Sequence, residues 1–135
     1  LATDGETATG SDTARAVTPA NVKSYYSPIK RTINAQTGTT YTLVIGDAGA
    51  VVTCANSGSI ALTIPPNSGV AFDTGTQVDI VNKGAGIITV TGGSGVTLNG
   101  VSTGGGALNA QWAAVSLVKI GTDEWVMLGA HAAVA

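Results

Sequence analysis

The fold of this chain is decided by one stretch near its middle, which reads TQVDIVN at residues 76–82, KGAG at 83–86 and IITVT at 87–91. β-branched residues dominate both outer runs, and apolar side chains alternate with polar ones as in a strand with one buried face. The glycines at 83–86 can supply the positive φ angles that a tight turn requires. The stretch therefore predicts a β-hairpin.

Similar short runs flank this stretch and are separated by turns rich in glycine, asparagine or proline. In residues 59–64 the large apolar side chains occupy every second position, so one face of that strand should be buried. Pro65 ends it because proline has no N–H to donate. The three glycines at 104–106 predict a loop that no strand could cross. Further strands are predicted at 41–45, 50–55, 96–98, 114–120 and 125–128, which gives about eight short strands in all.

The composition favours the same fold class. The chain has 135 residues with 19 glycines, only 10% charged side chains and 44% hydrophobic ones, a mixture that suits strands and turns. We expect an all-β protein with a single small β-sandwich or barrel-like domain at residues 31–135. No repeat of fixed period is present, which argues against a β-helix. The scarcity of charge indicates that part of the surface is buried against other chains.

Residues 1–30 differ from the rest, since they are mostly small and polar. Thr18 and Pro19 stand where a helix N-cap and first helical residue would, so one short helix is predicted near the end of an extended arm. We expect this arm to link chains, with Val22, Tyr25 and Tyr26 at the contact with a neighbouring chain. Because the sequence begins with Leu1 rather than Met, we expect it to be part of a longer protein.

Several kinds of partner and cofactor are disfavoured by the residue content. The formal net charge is −2 and no cluster of Lys or Arg occurs, so nucleic acid is not an expected partner. No apolar run approaches the roughly 18 residues of a spanning helix, so no membrane insertion is expected. With one Cys and one His, the ligand set of a zinc or transition-metal site is missing. No metal and no cofactor are predicted.

Catalysis is not expected either. A glycosidase needs two carboxylates facing one cleft, but Asp79 falls on the outer face of its strand, and most other acidic residues lie in the arm or in turns. Asp73 is one of these, since it precedes a Thr-Gly turn. Cys54 lies in an apolar run and reads as a small core residue. The single histidine, His131, is too near the end to complete a hydrolase triad with a strand-turn-helix serine.

Binding residues are sought among the aromatic and amide side chains, because exposed rings stack on sugars. Trp125 begins a strand and is expected in the core or an interface. Trp112 follows the loop 108–111 and is more open to a binding role. The candidate receptor-binding residues are Asn99, Asn109, Gln111 and Trp112.

One segment of the arm resembles a known family. Residues 2–22 read ATDGETATGSDTARAVTPANV, which is similar to a short element that recurs near the ends of bacteriophage tail-fibre and tail-spike proteins. The runs at 41–43, 60–65, 75–78, 88–90 and 121–125 resemble tail-fibre end domains more loosely. The resemblance implies an intertwined homotrimer in the virion that attaches to a bacterial surface glycan or protein. It carries over no individual binding residue.

Two other functions stay open. The chain could be a structural connector or trimerisation module of a virion fibre whose receptor site lies elsewhere. It could instead be a fragment of a capsule depolymerase, in which case Asp73 or Asp79 would be needed for activity. We expect the chain to be a non-enzymatic, receptor-binding end domain of such a fibre.

Overall fold

The computed structural model describes residues 30–134. This part of the chain consists of β-strands and one short 3-10 helix, Ile45–Asp47, which confirms the all-β prediction. From Arg31 onward the described residues belong to one compact unit. The predicted arm, apart from Lys30, lies outside the described residues, and so do its short helix and the proposed trimer contacts Val22, Tyr25 and Tyr26.

Twelve strands occur in the described part. Eight of them fall on or beside the predicted runs, and four short ones (β1, β8, β9 and β12) were not predicted. The strands are β1 Ile33–Gln36, β2 Thr40–Thr42, β3 Val51–Cys54, β4 Ile60–Ile64, β5 Gln77–Asn82, β6 Ile88–Gly92, β7 Thr97–Leu98, β8 Val101–Ser102, β9 Gly105–Leu108, β10 Ala114–Gly121, β11 Glu124–Gly129 and β12 Ala132–Val134.

The strands form two sheets, and the chain alternates between them. A seven-stranded sheet has the order β1-β3-β5-β10-β11-β7-β8, and a five-stranded sheet has the order β12-β9-β6-β4-β2. In the first half, β1, β3 and β5 are parallel neighbours in one sheet, while β2, β4 and β6 are parallel neighbours in the other. The chain therefore winds through three successive coils, each of which places one strand in each sheet.

This winding corrects two predictions. β5 and β6 do not form a hairpin, because they lie in different sheets; alternation shows which side chains are buried but not which strand is the neighbour. The argument against a β-helix also fails for this half of the domain. Ile33 pairs with Val51, 18 residues on, whereas Val51 pairs with Asp79, 28 residues on. Coils of unequal length leave no fixed period in the sequence.

The second half of the domain is mostly antiparallel. β10 pairs antiparallel with both β5 and β11, and β10 and β11 form a hairpin. In the other sheet, β9 pairs antiparallel with β6 and β12 with β9. The parallel coils thus pass into hairpin-like pairing, and β7 and β8 lie at the far edge of the seven-stranded sheet.

One hydrophobic core lies between the two sheets. The predicted core residues Cys54 and Trp125 belong to it, with 0% and 1% of their surfaces exposed. Trp125 packs edge to face against Phe72, with 5.5 Å between ring centroids, a favourable aromatic geometry. The other core members include Leu43, Val52, Ile60, Leu62, Ile64, Val78, Ile80, Ile88, Val90, Val96, Leu98, Leu108, Val115, Leu117 and Met127.

The first coil contributes a group of hydrogen-bonded polar side chains around the buried Asp47. Asp47 is buried and accepts hydrogen bonds from the Tyr41 hydroxyl (2.7 Å), Asn34 Nδ2 (2.8 Å) and the Val44 amide (2.9 Å). Burial, reinforced by the bond to Asp47, raises the pKa of Tyr41 to about 12. The bond to the Val44 amide accompanies the turn into the 3-10 helix, so the strand predicted at 41–45 ends at Thr42.

The glycine triplet at 104–106 does not exclude a strand, which corrects another prediction. Gly105 and Gly106 begin β9. A Cβ on Gly105 would lie 2.7 Å from the Val90 carbonyl oxygen, and one on Gly106 would lie 2.8 Å from Met127 Sδ. Glycine is required at 105 because the Val90 main chain approaches it closely, whereas at 106 the near neighbour is the flexible Met127 side chain.

Candidate functional site

The candidate site is the loop that joins β9 to β10 and so passes from one sheet to the other. Asn109, Gln111 and Trp112 all lie on it and are exposed. Trp112 has 66% of its surface exposed, the largest fraction among the large hydrophobic residues of the described part. Three of the four predicted binding residues are therefore brought together on one loop.

This loop is tied to the core by Asn82, the last residue of β5. The Asn82 side chain is fully buried, and its Nδ2 donates to the carbonyl oxygens of Gly86 (2.7 Å), Leu108 (3.3 Å) and Ala110 (3.3 Å). The Trp112 amide donates back to the Asn82 carbonyl oxygen at 2.6 Å. The side-chain amide and the main chain of one residue thus hold both ends of the loop.

Sequence reasoning missed Asn82, although a signal was present. It stands at the third of three alternate positions, after Val78 and Ile80, that face the core. A polar side chain at an inward position must find hydrogen-bond partners, because an unpaired buried amide is costly. This pattern identifies a buried polar anchor without identifying what it holds.

The backbone of Trp112 adopts a left-handed conformation, with φ of 68°. For a bulky residue this is a genuine outlier, and the left-handed region costs a non-glycine residue roughly 1–2 kcal/mol. The conformation is enforced by the Trp112 bond to Asn82 and by the bond from the Ala113 amide to the Ala110 carbonyl oxygen at 3.1 Å. The loop keeps a large ring exposed at an energetic cost to the fold.

A shallow apolar groove adjoins the loop. It has a volume of about 300 Å³. Asn109 contributes an amide to it, and its remaining lining is mostly alanine, so the floor is smooth. The lining residues are Ala107, Asn109, Ala110, Ala113, Ala130, His131 and Ala132.

Asn99, the fourth predicted binding residue, lies elsewhere. It follows β7, which is separated from β5 by β10 and β11 in the sheet. Its amide donates to the Trp125 carbonyl oxygen at 3.0 Å, and its Oδ1 accepts from the Met127 amide at 2.8 Å. The side chain is therefore used to fasten the β7 edge to β11.

A second groove lies on the outer face of the seven-stranded sheet. Its volume is also about 300 Å³, and Asp79 and Ser116 lie in it among mostly small and aliphatic residues. Asp79 forms an ion pair with Arg31. Sequence reasoning placed Asp79 on the outer face, but it could not bring together residues from three distant parts of the chain.

The pKa values of Asp79 and Cys54 are shifted in opposite directions. Burial acts to raise the pKa of Asp79, but hydrogen bonds, first that from Arg31, outweigh burial and hold the pKa below its ordinary value. A glycosidase acid needs the opposite shift. Burial raises the pKa of Cys54 to about 11, so its thiol stays protonated.

No cluster of three or more His, Cys, Asp or Glu side chains that could hold a metal ion occurs within residues 30–134. In the same part of the chain, no helix is long and apolar enough to span a membrane.

Comparison of the chain with models of known protein families gives no match, and comparison with curated proteins gives none that is significant. The described residues form an all-β domain of two sheets with an exposed tryptophan loop.

Proposed function

We propose that this chain is the host-facing end of a bacteriophage tail fibre, which assembles as a homotrimer and binds a glycan or protein on the bacterial surface. The observation that carries the proposal is Trp112, a 66% exposed ring on a backbone with φ of 68°. The resemblance of residues 2–22 to tail-fibre and tail-spike ends supplies the biological setting.

The strain at Trp112 favours a binding role over a structural one. Strained residues persist where the surrounding structure enforces them, and they cluster at ligand-binding positions. With most of its surface in solvent, the ring gains little from packing in the domain itself. Contact with a partner molecule would make use of it.

The surroundings of the ring suit a saccharide or a small protein surface. An aromatic face stacks on the apolar face of a sugar ring, and the exposed amide of Asn109 can bond to hydroxyl groups. The side-chain amide of Gln111 already makes one hydrogen bond within the domain, since its Nε2 donates to the Lys83 carbonyl oxygen at 2.9 Å. Each such site would be weak alone, but three copies in a trimer would bind with higher avidity.

The experiment is to measure mass by light scattering and binding of the fluorescently labelled chain to candidate host cells. Trp112→Gly removes both the ring and the strain, so we expect cell binding to fall while the free energy of unfolding stays equal or rises by up to about 1 kcal/mol. Val101→Ala is the matched control, because Val101 is also a large exposed side chain, at 60%, on the short edge strand β8.

The outcomes separate the proposals. A particle of about three times 13.3 kDa that stains cells through Trp112 supports the receptor-binding end. A trimer that stains no host and does not compete with phage adsorption favours the connector. A stable monomer contradicts the fibre assignment, and release of reducing ends from host polysaccharide would favour the depolymerase.

A further inference from the structure

The groove on the outer face of the seven-stranded sheet crosses four neighbouring strands. Val51 pairs with Asp79, Asp79 with Ser116, and Ser116 with Leu128, so these four side chains form one continuous row on that face. Beside the row, the small residues at 114 and 129 leave the hollow of about 300 Å³. This size is at the lower end of the range for small-molecule sites.

The carboxylate in the groove is held in place but keeps capacity for a ligand. Oδ1 of Asp79 accepts from Ser116 Oγ at 2.6 Å and from Gln77 Nε2 at 3.0 Å, and Oδ2 accepts from Arg31 Nη1. An ionised carboxylate offers roughly four acceptor positions. Three are used, so one position on Oδ2 remains.

Arg31 does not line the groove but contacts Asp79 at its border, and it likewise keeps free donors there. Its Nε donates to the Gly49 carbonyl oxygen and its Nη2 to the Ala50 carbonyl oxygen, each at 2.9 Å, while Nη1 donates to Asp79. A guanidinium has five N–H donors, so two remain. The main-chain bonds fix the plane of the guanidinium, and the rigid β-sheet fixes the carboxylate, which is the preorganisation that a binding site needs.

The charge and surface of the groove select the kind of ligand. Because the two charged groups neutralise each other, neither an anion nor a cation gains net attraction. A vicinal diol can donate to the free carboxylate position and accept from a free guanidinium N–H at the same time. The aliphatic side chains of Val51, Val81 and Leu128, the last 57% exposed, can contact the apolar C–H face of a sugar ring.

We infer that this groove binds one unit of a neutral saccharide, as a site separate from the Trp112 loop. This inference rests on the proposed function and adds to it the chemical class of a receptor. It does not require that the Trp112 loop itself bind the saccharide. The two sites are adjacent in the chain, since Ala114 of the groove follows Trp112 by two residues.

The test is a titration of the whole labelled chain, followed by NMR amide shifts, with three neutral sugars and one charged analogue. The probes are methyl α-glucoside, methyl β-galactoside, N-acetylglucosamine and glucuronate. We expect saturable shifts at the amides of Ala114, Ser116 and Gly129 for at least one neutral sugar, with a Kd in the millimolar range, about −4 kcal/mol or weaker.

Two variants and two controls make the result specific. Ala114→Leu should fill the hollow and weaken binding at least tenfold, and Ser116→Val should do the same if the first variant folds poorly. Thr42→Leu, an exposed position in β2 of the other sheet, is the matched control and should bind as the unaltered chain does. Val101→Ala, at a 60% exposed position on the edge strand β8, is the second control and should leave the groove shifts unchanged.

Several results would overturn the inference. They are the absence of saturable shifts with every neutral sugar, shifts that survive both groove-filling variants, and tighter binding of glucuronate than of the neutral probes. None of these bears on cell binding through Trp112. A failure of the groove is therefore distinguishable from a failure of the proposed function.

Discussion

Replacement of Asn82 by Ala would test whether this one buried amide holds the tryptophan loop to the core. The substitution removes the donor to the buried Gly86 carbonyl at 2.7 Å and the longer contacts to Leu108 and Ala110 at 3.3 Å. A buried group that loses its partner costs about 1–3 kcal/mol, and the longer contacts are weaker. We expect the free energy of unfolding to fall by roughly 2–3 kcal/mol.

The assay is equilibrium unfolding in urea. With a slope of about 1–3 kcal/mol per molar for a domain of this size, the midpoint should fall by roughly 0.7–3 M. Cell binding of the labelled chain should fall as well, although Trp112 itself is intact. Asn109→Ala is the control, because Asn109 is exposed on the same loop and its removal should change stability by less than about 0.5 kcal/mol.

A second variant sharpens the test. Asn82→Asp keeps the shape but turns an acceptor toward the carbonyl oxygens that the Nδ2 group now serves, so it should destabilise at least as much as Asn82→Ala. If both variants unfold within about 0.5 kcal/mol of the unaltered chain, the anchoring role of Asn82 is refuted. A loss of stability with unchanged cell binding would refute only the claim that Asn82 positions the Trp112 loop for binding.

Three further predictions concern charge, the thiol and a glycine. Asp79→Asn should lower the free energy of unfolding at pH 7 by up to about 1 kcal/mol after solvent screening. Because the pKa of Asp79 is depressed in the folded chain, the difference in stability between the variant and the unaltered chain should vanish as the pH falls below about 4. A difference that stays constant with pH would contradict this. Burial raises the pKa of Cys54 to about 11, so its thiol should react with Ellman's reagent only slowly until urea unfolds the chain. Rapid labelling of the folded chain would contradict burial. The contribution of Cys54 to the free energy of unfolding should fall as the pH rises above about 8.5, where the thiol of the unfolded chain loses its proton. Gly86→Ala would place a Cβ 1.9 Å from the Gly58 carbonyl oxygen and should lower the free energy of unfolding, measured in urea, by more than about 3 kcal/mol. Gly46→Ala is the control and should cost far less, because nothing lies within 4 Å of a Cβ there. Equal effects of the two substitutions would contradict the close approach at Gly86.

Local alternation was enough to locate most strands and their buried faces. Val78 and Ile80 are buried and Asp79 between them faces outward, as the sequence predicts. Trp125 and Cys54 lie in the core for the same reason, since each stands in an apolar strand run. These predictions succeed because strand periodicity and side-chain burial are properties of a few neighbouring residues.

Strand partners were not accessible in this way. The run at 87–91 is a strand, but it pairs with β4 and β9 and not with β5. The glycines of β9 were misassigned because their neighbours Val90 and Met127 contact them only in the fold. A pattern of turns and alternation cannot distinguish a hairpin from two strands that face each other across a core.

The sequence by itself thus determined the all-β class and the positions of the principal strands, because both depend on local residue type and spacing. Only the tertiary structure decided the exposure of Trp112 and which residues surround its loop and the outer groove. Asn82 reaches Leu108 and Ala110 across 26 and 28 positions, and Arg31 reaches Asp79 across 48. Such contacts follow from the alternation of the chain between two sheets, which is set by long-range packing of the whole core.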